Sequence, residues 1–491
     1  MYYNNGNSLK LFFVSLFVLV SCSSSNKKII VNFETNIGST IETLVLEEPE
    51  IIGEPNKLIQ EQYIFAGWFL DSEYNNLFDF SSIIESNTTF HAKWIKNEFK
   101  NVITSYGSSY AIDNTNTLYS WGRNNAGQLG IGSRNDNLFP RIVKVDNLME
   151  NEYFIEIIPQ SSEVFGLTNK GNLYGWGSNY KNRLGIQSSN TYEPMPVLIE
   201  IEGLSNDEKI IDFSAFNHSL ALTSSGRIYS WGDNRQGQLG DGSIVDKSHP
   251  TLININLLAG ETVIKIDAGQ NTSFAITNLG NLYSWGSDNH YARGTEQGMQ
   301  GSLRPLKVNF SILNPNEKIS EISSNMYYSV AVTNQNRVIT WGRNDYGQLG
   351  YRSFSNMEFK PTVIAGITNN LEVEENIIQS NASVERAFVL TNKGRIFGWG
   401  NPNNGLIGLP IIKAEEFANS RDGSATPTLI DTRNLSNDEK FINISSGWYH
   451  NLGITSRGRI FAWGKNTDGQ FGTNNKSETE NYFTPIKIDG I

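Results

Sequence analysis

The chain has 491 residues, with 39 Lys and Arg against 50 Asp and Glu, a formal net charge of −11, and a single cysteine. One thiol excludes a disulfide-stapled scaffold and a cysteine-built zinc module, and the acidic balance speaks against a protein that coats nucleic acid. At 38% apolar and 11% aromatic residues the chain has the material for a packed core.

The first element in chain order is an apolar run, residues 11–20, interrupted only by Ser15 and preceded by Lys10. Its length suits the hydrophobic region of a secretion signal and is too short to span a bilayer. It ends in Leu19-Val20-Ser21-Cys22, which resembles the bacterial lipobox. The resemblance implies that residues 1–21 are a lipoprotein signal peptide and that Cys22 carries the lipid. Residues 22–29, largely Ser, Asn and Lys, then form a polar tether. The expected location is extracytoplasmic, at the bacterial cell surface, with the membrane engaged through the lipid anchor alone.

Residues 30–95 carry short alternating runs of the half-buried strand type. Tyr63-x-Phe65-x-Gly67-Trp68-Phe69, then Phe80, then Asn87-Thr88-Thr89-Phe90-x-Ala92-Lys93-Trp94 resemble the Listeria–Bacteroides surface repeat, also called the internalin B-repeat. Val31-x-Phe33-x-Thr35-Asn36 fits its opening strand, while Ile37 and Gln62 stand where that family usually has glycine. The resemblance implies a small β-grasp-like module, a spacer or an adhesive unit. Trp68, Phe80 and Trp94 are expected to supply most of its core.

From residue 97 to 491 the chain repeats itself. Trp-Gly recurs at Trp121, Trp176, Trp231, Trp285, Trp341, Trp399 and Trp463, at spacings of 54 to 64 residues. Each copy reads as four short strands; in the third they are residues 209–213, 219–223, 227–231 and 251–255. The hairpin between the second and third strands needs a residue at positive φ. Gly171, Gly226, Gly280, Gly394 and Gly458 supply it in five copies, and Asn116 and Asn336 in the others. Seven four-stranded units predict an all-β, seven-bladed β-propeller, in which a ring avoids long exposed edges. The signature Trp-Gly-x-Asn-x-x-Gly-Gln-Leu-Gly resembles the regulator of chromosome condensation repeat family. Residues 182–185, 291–294 and 405–408 depart from it. Residues 483–488 read as a final outer strand, which allows closure without strand exchange.

No catalytic or metal constellation stands out. His91, His218, His249, His290 and His450 have no metal-ligand spacing. Gly-Gln-Leu-Gly lacks the Lys-Ser/Thr of a phosphate loop and reads as turn geometry. One repeat position carries Ser108, Glu163, His218, Thr272, Tyr328, Arg386 and His450, too varied a set for a symmetric site. The loops after the first strands are rich in aromatic residues, which suits a binding face. The candidate partner-binding residues are Tyr106, Phe216, His218, Tyr327, Tyr328, Trp448, Tyr449 and His450. An insert at residues 414–423 is a further loop candidate.

The expectation is therefore a monomeric, non-catalytic surface lipoprotein without cofactor. It binds a protein or glycan, and not nucleic acid, through propeller loops. The repeat resemblance also implies two alternatives, guanine-nucleotide exchange and inhibitor-like protein binding. The export-type leader argues against the first, because its substrate would lie across a membrane.

Overall fold

A computed structural model describes residues 28–487 except 38–39, 56–62, 75, 77, 79, 81, 97, 147, 296–300, 352–356, 409–423, 431, 433–434 and 473–476. Cys22 and the insert at 414–423 lie outside the described residues. The chain divides into two compact units.

The N-terminal module is one four-stranded sheet of β1 (Ile29–Glu34), β2 (Leu44–Leu46), β3 (Tyr63–Phe69) and β4 (Thr88–Lys96), in the order β2-β1-β4-β3. β1 runs antiparallel to β2 and parallel to β4, with Phe33 opposite Phe90. The alternation in β1 works as pleat geometry requires: Ile29, Val31 and Phe33 are buried while Ile30 is exposed. Trp68 is fully buried and meets Phe33 edge-on at 5.2 Å. Phe80 and Trp94 are only half-buried, so the expected core is corrected: buried Phe33 and Phe90, their rings 5.4 Å apart, accompany Trp68.

Among the described residues the repeat region forms seven four-stranded antiparallel sheets, each built from four consecutive strands. The first comprises Phe99–Thr104, Ser108–Asp113, Leu118–Gly122 and Asn137–Ile142. The last comprises Phe441–Ser446, His450–Thr455, Ile460–Asn466 and Ser477–Lys487. Among the described residues no strand is exchanged between the ends. The two meet through side chains instead, with Phe99, Val102, Tyr119 and Trp121 packed on Leu452, Ile454, Ile460 and Phe471. Every second strand is buried on both faces, because a sheet lies against each side of it. That is why these strands read as runs such as Leu220-Ala221-Leu222 rather than alternating with polar residues. The seven hairpin positions all have positive φ, from 58° at Asn336 to 84° at Gly171.

The repeat signature holds neighbouring sheets together. All seven Trp-Gly indoles are buried. Six donate Nε1–H to a backbone carbonyl of the preceding repeat's loop. Trp176 reaches Gln128 at 2.8 Å, Trp285 reaches Gln238 at 2.8 Å and Trp399 reaches Gln348 at 2.8 Å. Trp231 and Trp341 bond Arg183 and Ala292. Trp121 bonds Gln470 of the last repeat at 2.9 Å and so joins the two ends of the chain. Trp463 is the exception: Asn451 Nδ2 takes the Leu406 carbonyl at 2.9 Å, and the indole N–H has no partner among the described residues.

The signature asparagine braces the loop from inside. Asn234 Oδ1 accepts from Leu239 N, while its Nδ2 donates to the Ser243 and Val245 carbonyls. The closing glycine is a shelf for the next indole. At Gly240, φ is 75° and a Cβ would lie 2.6 Å from Trp285 Nε1. Turn and packing geometry thus account for Gly-Gln-Leu-Gly.

Candidate functional site: the inner-strand loops

The first strand of each sheet presents a free edge whose N–H groups need partners. Side chains of the preceding sheet supply them. Asp212 accepts from Ile266 N at 2.8 Å and Ser214 from Ala268 N at 2.9 Å. Glu321 and Ser323 do the same for Ser380 and Ala382, Gln379 for Ile444, and Ser445 for Thr104. The side chains on these edges include Glu156, Asp212, Asp267 and Glu321, with Lys265 among them. Burial pushes the Glu156 carboxyl up to about 7; repulsion from Asp212 adds to this and Lys265 offsets part of it. Burial likewise pushes Asp267 to about 7, although the Ser324 hydroxyl donates to it.

Where the inner strands turn back, their loops are linked from sheet to sheet. Ser105 donates to the Gln160 carbonyl and Gln160 Nε2 to that of Ala215. Asn325 bonds Ala382, Ser383 bonds Gly447 at 2.7 Å, and Trp448 N returns to Ser105 at 3.3 Å. Inside these loops lies a pocket of about 170 Å³ lined from all seven sheets, with Ser105, Phe216, Asp267, Ser324, Ser383 and Trp448 in its wall.

The eight candidate residues divide into two groups. Tyr106, Trp448 and Tyr449 converge where the first and last sheets meet. The Tyr106 ring lies 5.3 Å from Trp448 and 4.8 Å from Tyr449, and the two phenols hydrogen-bond at 3.0 Å. Phe216 stands apart in the pocket wall, and the Tyr327 ring lies 4.5 Å from that of His290, tilted by 41°. All five are half-buried.

His218, Tyr328 and His450 are buried, which corrects their placement on a binding surface. Each ties one sheet to the next. His218 Nε2 bonds Ser273 at 2.6 Å, His450 Nε2 bonds Ser109 at 2.8 Å, and Tyr328 donates to the Ser383 carbonyl at 2.7 Å. Burial pushes both imidazoles down to about 3, so they stay neutral. The varied repeat position is therefore an inter-sheet contact that each copy solves with a different side chain. Arg386 in the sixth copy is fully buried and donates to the Gly447 and Trp448 carbonyls, which fixes the loop carrying Trp448 and Tyr449.

Sequence reasoning missed two cations beside the aromatic cluster. Arg123 lies over the Tyr106 ring at 5.1 Å and Lys465 over Tyr449 at 5.1 Å. Both occupy the variable position after Trp-Gly, and charge at that position was the available signal. It also missed the buried glutamates before the inner strands, such as Glu208, Glu261 and Glu375, which bind side chains of the following hairpin. Among the described residues no three His, Cys, Asp or Glu side chains come together as a metal site.

Four-stranded sheets in sequence, loops braced by Trp, Asn and Gly, and a face built from inner-strand loops define a β-propeller of the repeat type. The chain belongs to the RCC1-like domain family, whose model matches residues 161–491. A regulator of chromosome condensation (RCC1) repeat matches residues 116–157, and a Listeria-Bacteroides repeat domain matches residues 30–93. The ultraviolet-B receptor UVR8 of Arabidopsis thaliana is 27% identical over 377 residues, covering 76% of this chain and 79% of that protein. Yeast RCC1 (Prp20) bound to Kap60 superposes with a TM-score of 0.64 at 20% identity, over 81% of this chain and 89% of that one. A structure of Saccharomyces cerevisiae Prp20p, described with its binding to Gsp1p and histones, gives 0.63 at 20% identity, over 80% and 88%. The likeness to these structures is one of fold.

Proposed function

We propose that this chain is a non-catalytic binding protein that holds a protein partner against the inner-strand loops. The observation that carries this reading is the convergence of Tyr106, Trp448 and Tyr449 into one half-exposed cluster beside a pocket walled by all seven sheets. Tyrosine and tryptophan bury large areas at low entropic cost, and here they stand on rigid, mutually bonded loops. Protein binding by the similarly folded Prp20p fits the same reading.

The lipobox-like Leu19-Val20-Ser21-Cys22 and the surface-type module support a lipid-anchored protein displayed outside a bacterial cell. The module would then be a spacer or a second adhesive unit. Palmitate labelling that disappears in Cys22→Ala, together with release of propeller peptides by protease from intact cells, is the expected result. Unchanged labelling would remove the anchor from this account.

A further inference from the structure

We infer, resting on the reading that this face holds a protein, that the seam between the first and last sheets is the anchor of the contact and that it takes an acidic segment of the partner. Arg123 and Lys465 lie on the rings of Tyr106 and Tyr449, whose hydroxyls are 3.0 Å apart. Among the described residues neither cation forms an ion pair. Other arginines of the ring are matched: Arg227 with Glu208, Arg337 with Glu317, Arg395 with Glu375 and Arg459 with Glu439. Asp468 also acts electrostatically on Tyr449, so among the described side chains that act on these two rings two are cations and one is a carboxylate, an excess of positive charge. That excess sits on a chain of net charge −11.

The geometry is set before binding. Each cation rests on a ring, the phenols are bonded to each other, and Arg386 holds the Trp448 backbone, so little ordering remains to oppose association. The rings stand at 52° and 70° to one another, so they do not form the coplanar platform on which a sugar stacks. A side-chain carboxylate of the partner meets the cations, and an apolar neighbour packs against Trp448. A long polyanion would feel the net repulsion of the whole acidic chain; a short acidic segment feels mainly the local field.

The test is selection from a randomised peptide library on the full-length protein, with affinities measured by fluorescence anisotropy at two salt concentrations. Recovered peptides should be rich in Asp and Glu, weaken with salt, and lose at least about ten-fold in affinity to the R123Q/K465Q variant, a loss of about 1.4 kcal/mol. The variant's unfolding midpoint should be unchanged, because both substitutions keep the backbone bonds of these positions. Peptides without acidic enrichment, or acidic peptides indifferent to R123Q/K465Q, would overturn the assignment. If such peptides still compete for Trp448, the broader reading of the face survives. Preferential binding of an acidic polysaccharide such as polygalacturonate would replace the protein partner with a glycan, and failure to recover any binder would sink both.

Discussion

At the scale of single residues, carboxylates of opposite tendency set the pH response of the ring. Glu208 is held down to about 2, first by its hydrogen bonds from Arg227. Burial opposes the same shift at Glu261 and Glu375, yet Asn281 and Arg395 bring both to about 2. Their contribution is complete above the ordinary value near 4.5 and is lost as the pH falls toward 2. Glu156 and Asp267 work the other way. Their carboxyls are raised to about 7, so the folded state holds its protons better than the unfolded chain does. Stability from them is present at pH 4 and is lost as the pH rises through about 7. Glu156→Gln is accordingly expected to raise the calorimetric unfolding midpoint at pH 8 and to leave it almost unchanged at pH 4. An equal change at both pH values would show that Glu156 carries no such penalty.

At the scale of the element, the Trp-Gly strand is the unit that carries one sheet to the next. Comparing two of its copies isolates the indole hydrogen bond, since Trp285 donates to Gln238 and Trp463 has no acceptor among the described residues. Trp→Phe removes similar volume from both sites. Trp285→Phe should therefore cost about 1–2 kcal/mol more than Trp463→Phe in denaturant unfolding, and equal losses would deny the staple its role. The turns were legible in the sequence because each answers a constraint internal to its own repeat, positive φ at Gly226 and Gly240, and the tryptophans because they recur at one position of every copy. The burial of His218, Tyr328 and His450 was not legible. Their partners, Ser273, Ser383 and Ser109, sit in other repeats, and a pattern that compares copies position by position does not see pairs between copies. Arg123 and Lys465 escaped for another reason: each lies over a tyrosine of its own repeat, and only the fold brings that ring, from the loop before the second strand, under the residue after Trp-Gly.

At the scale of the whole molecule, a chain of repeats becomes a ring by a contact between its ends. His450 to Ser109 and Trp121 to Gln470 repeat, across that junction, the His218–Ser273 and Trp285–Gln238 bonds found between consecutive sheets. The junction is thus held by the same chemistry as the others and, among the described residues, has no shared strand to latch it. It follows that the position of the chain ends is, for the ring itself, arbitrary. A circular permutant that joins the last strand to Phe99–Thr104 and opens the chain within residues 199–209 should fold with one cooperative transition near that of the parent; a split or broadened transition would mark the junction as weaker than its neighbours. The cut between first and last repeat also falls beside Tyr106, Trp448 and Tyr449. If the proposed contact forms there, the partner bridges the first and the last repeat of the ring and adds a tie across that junction.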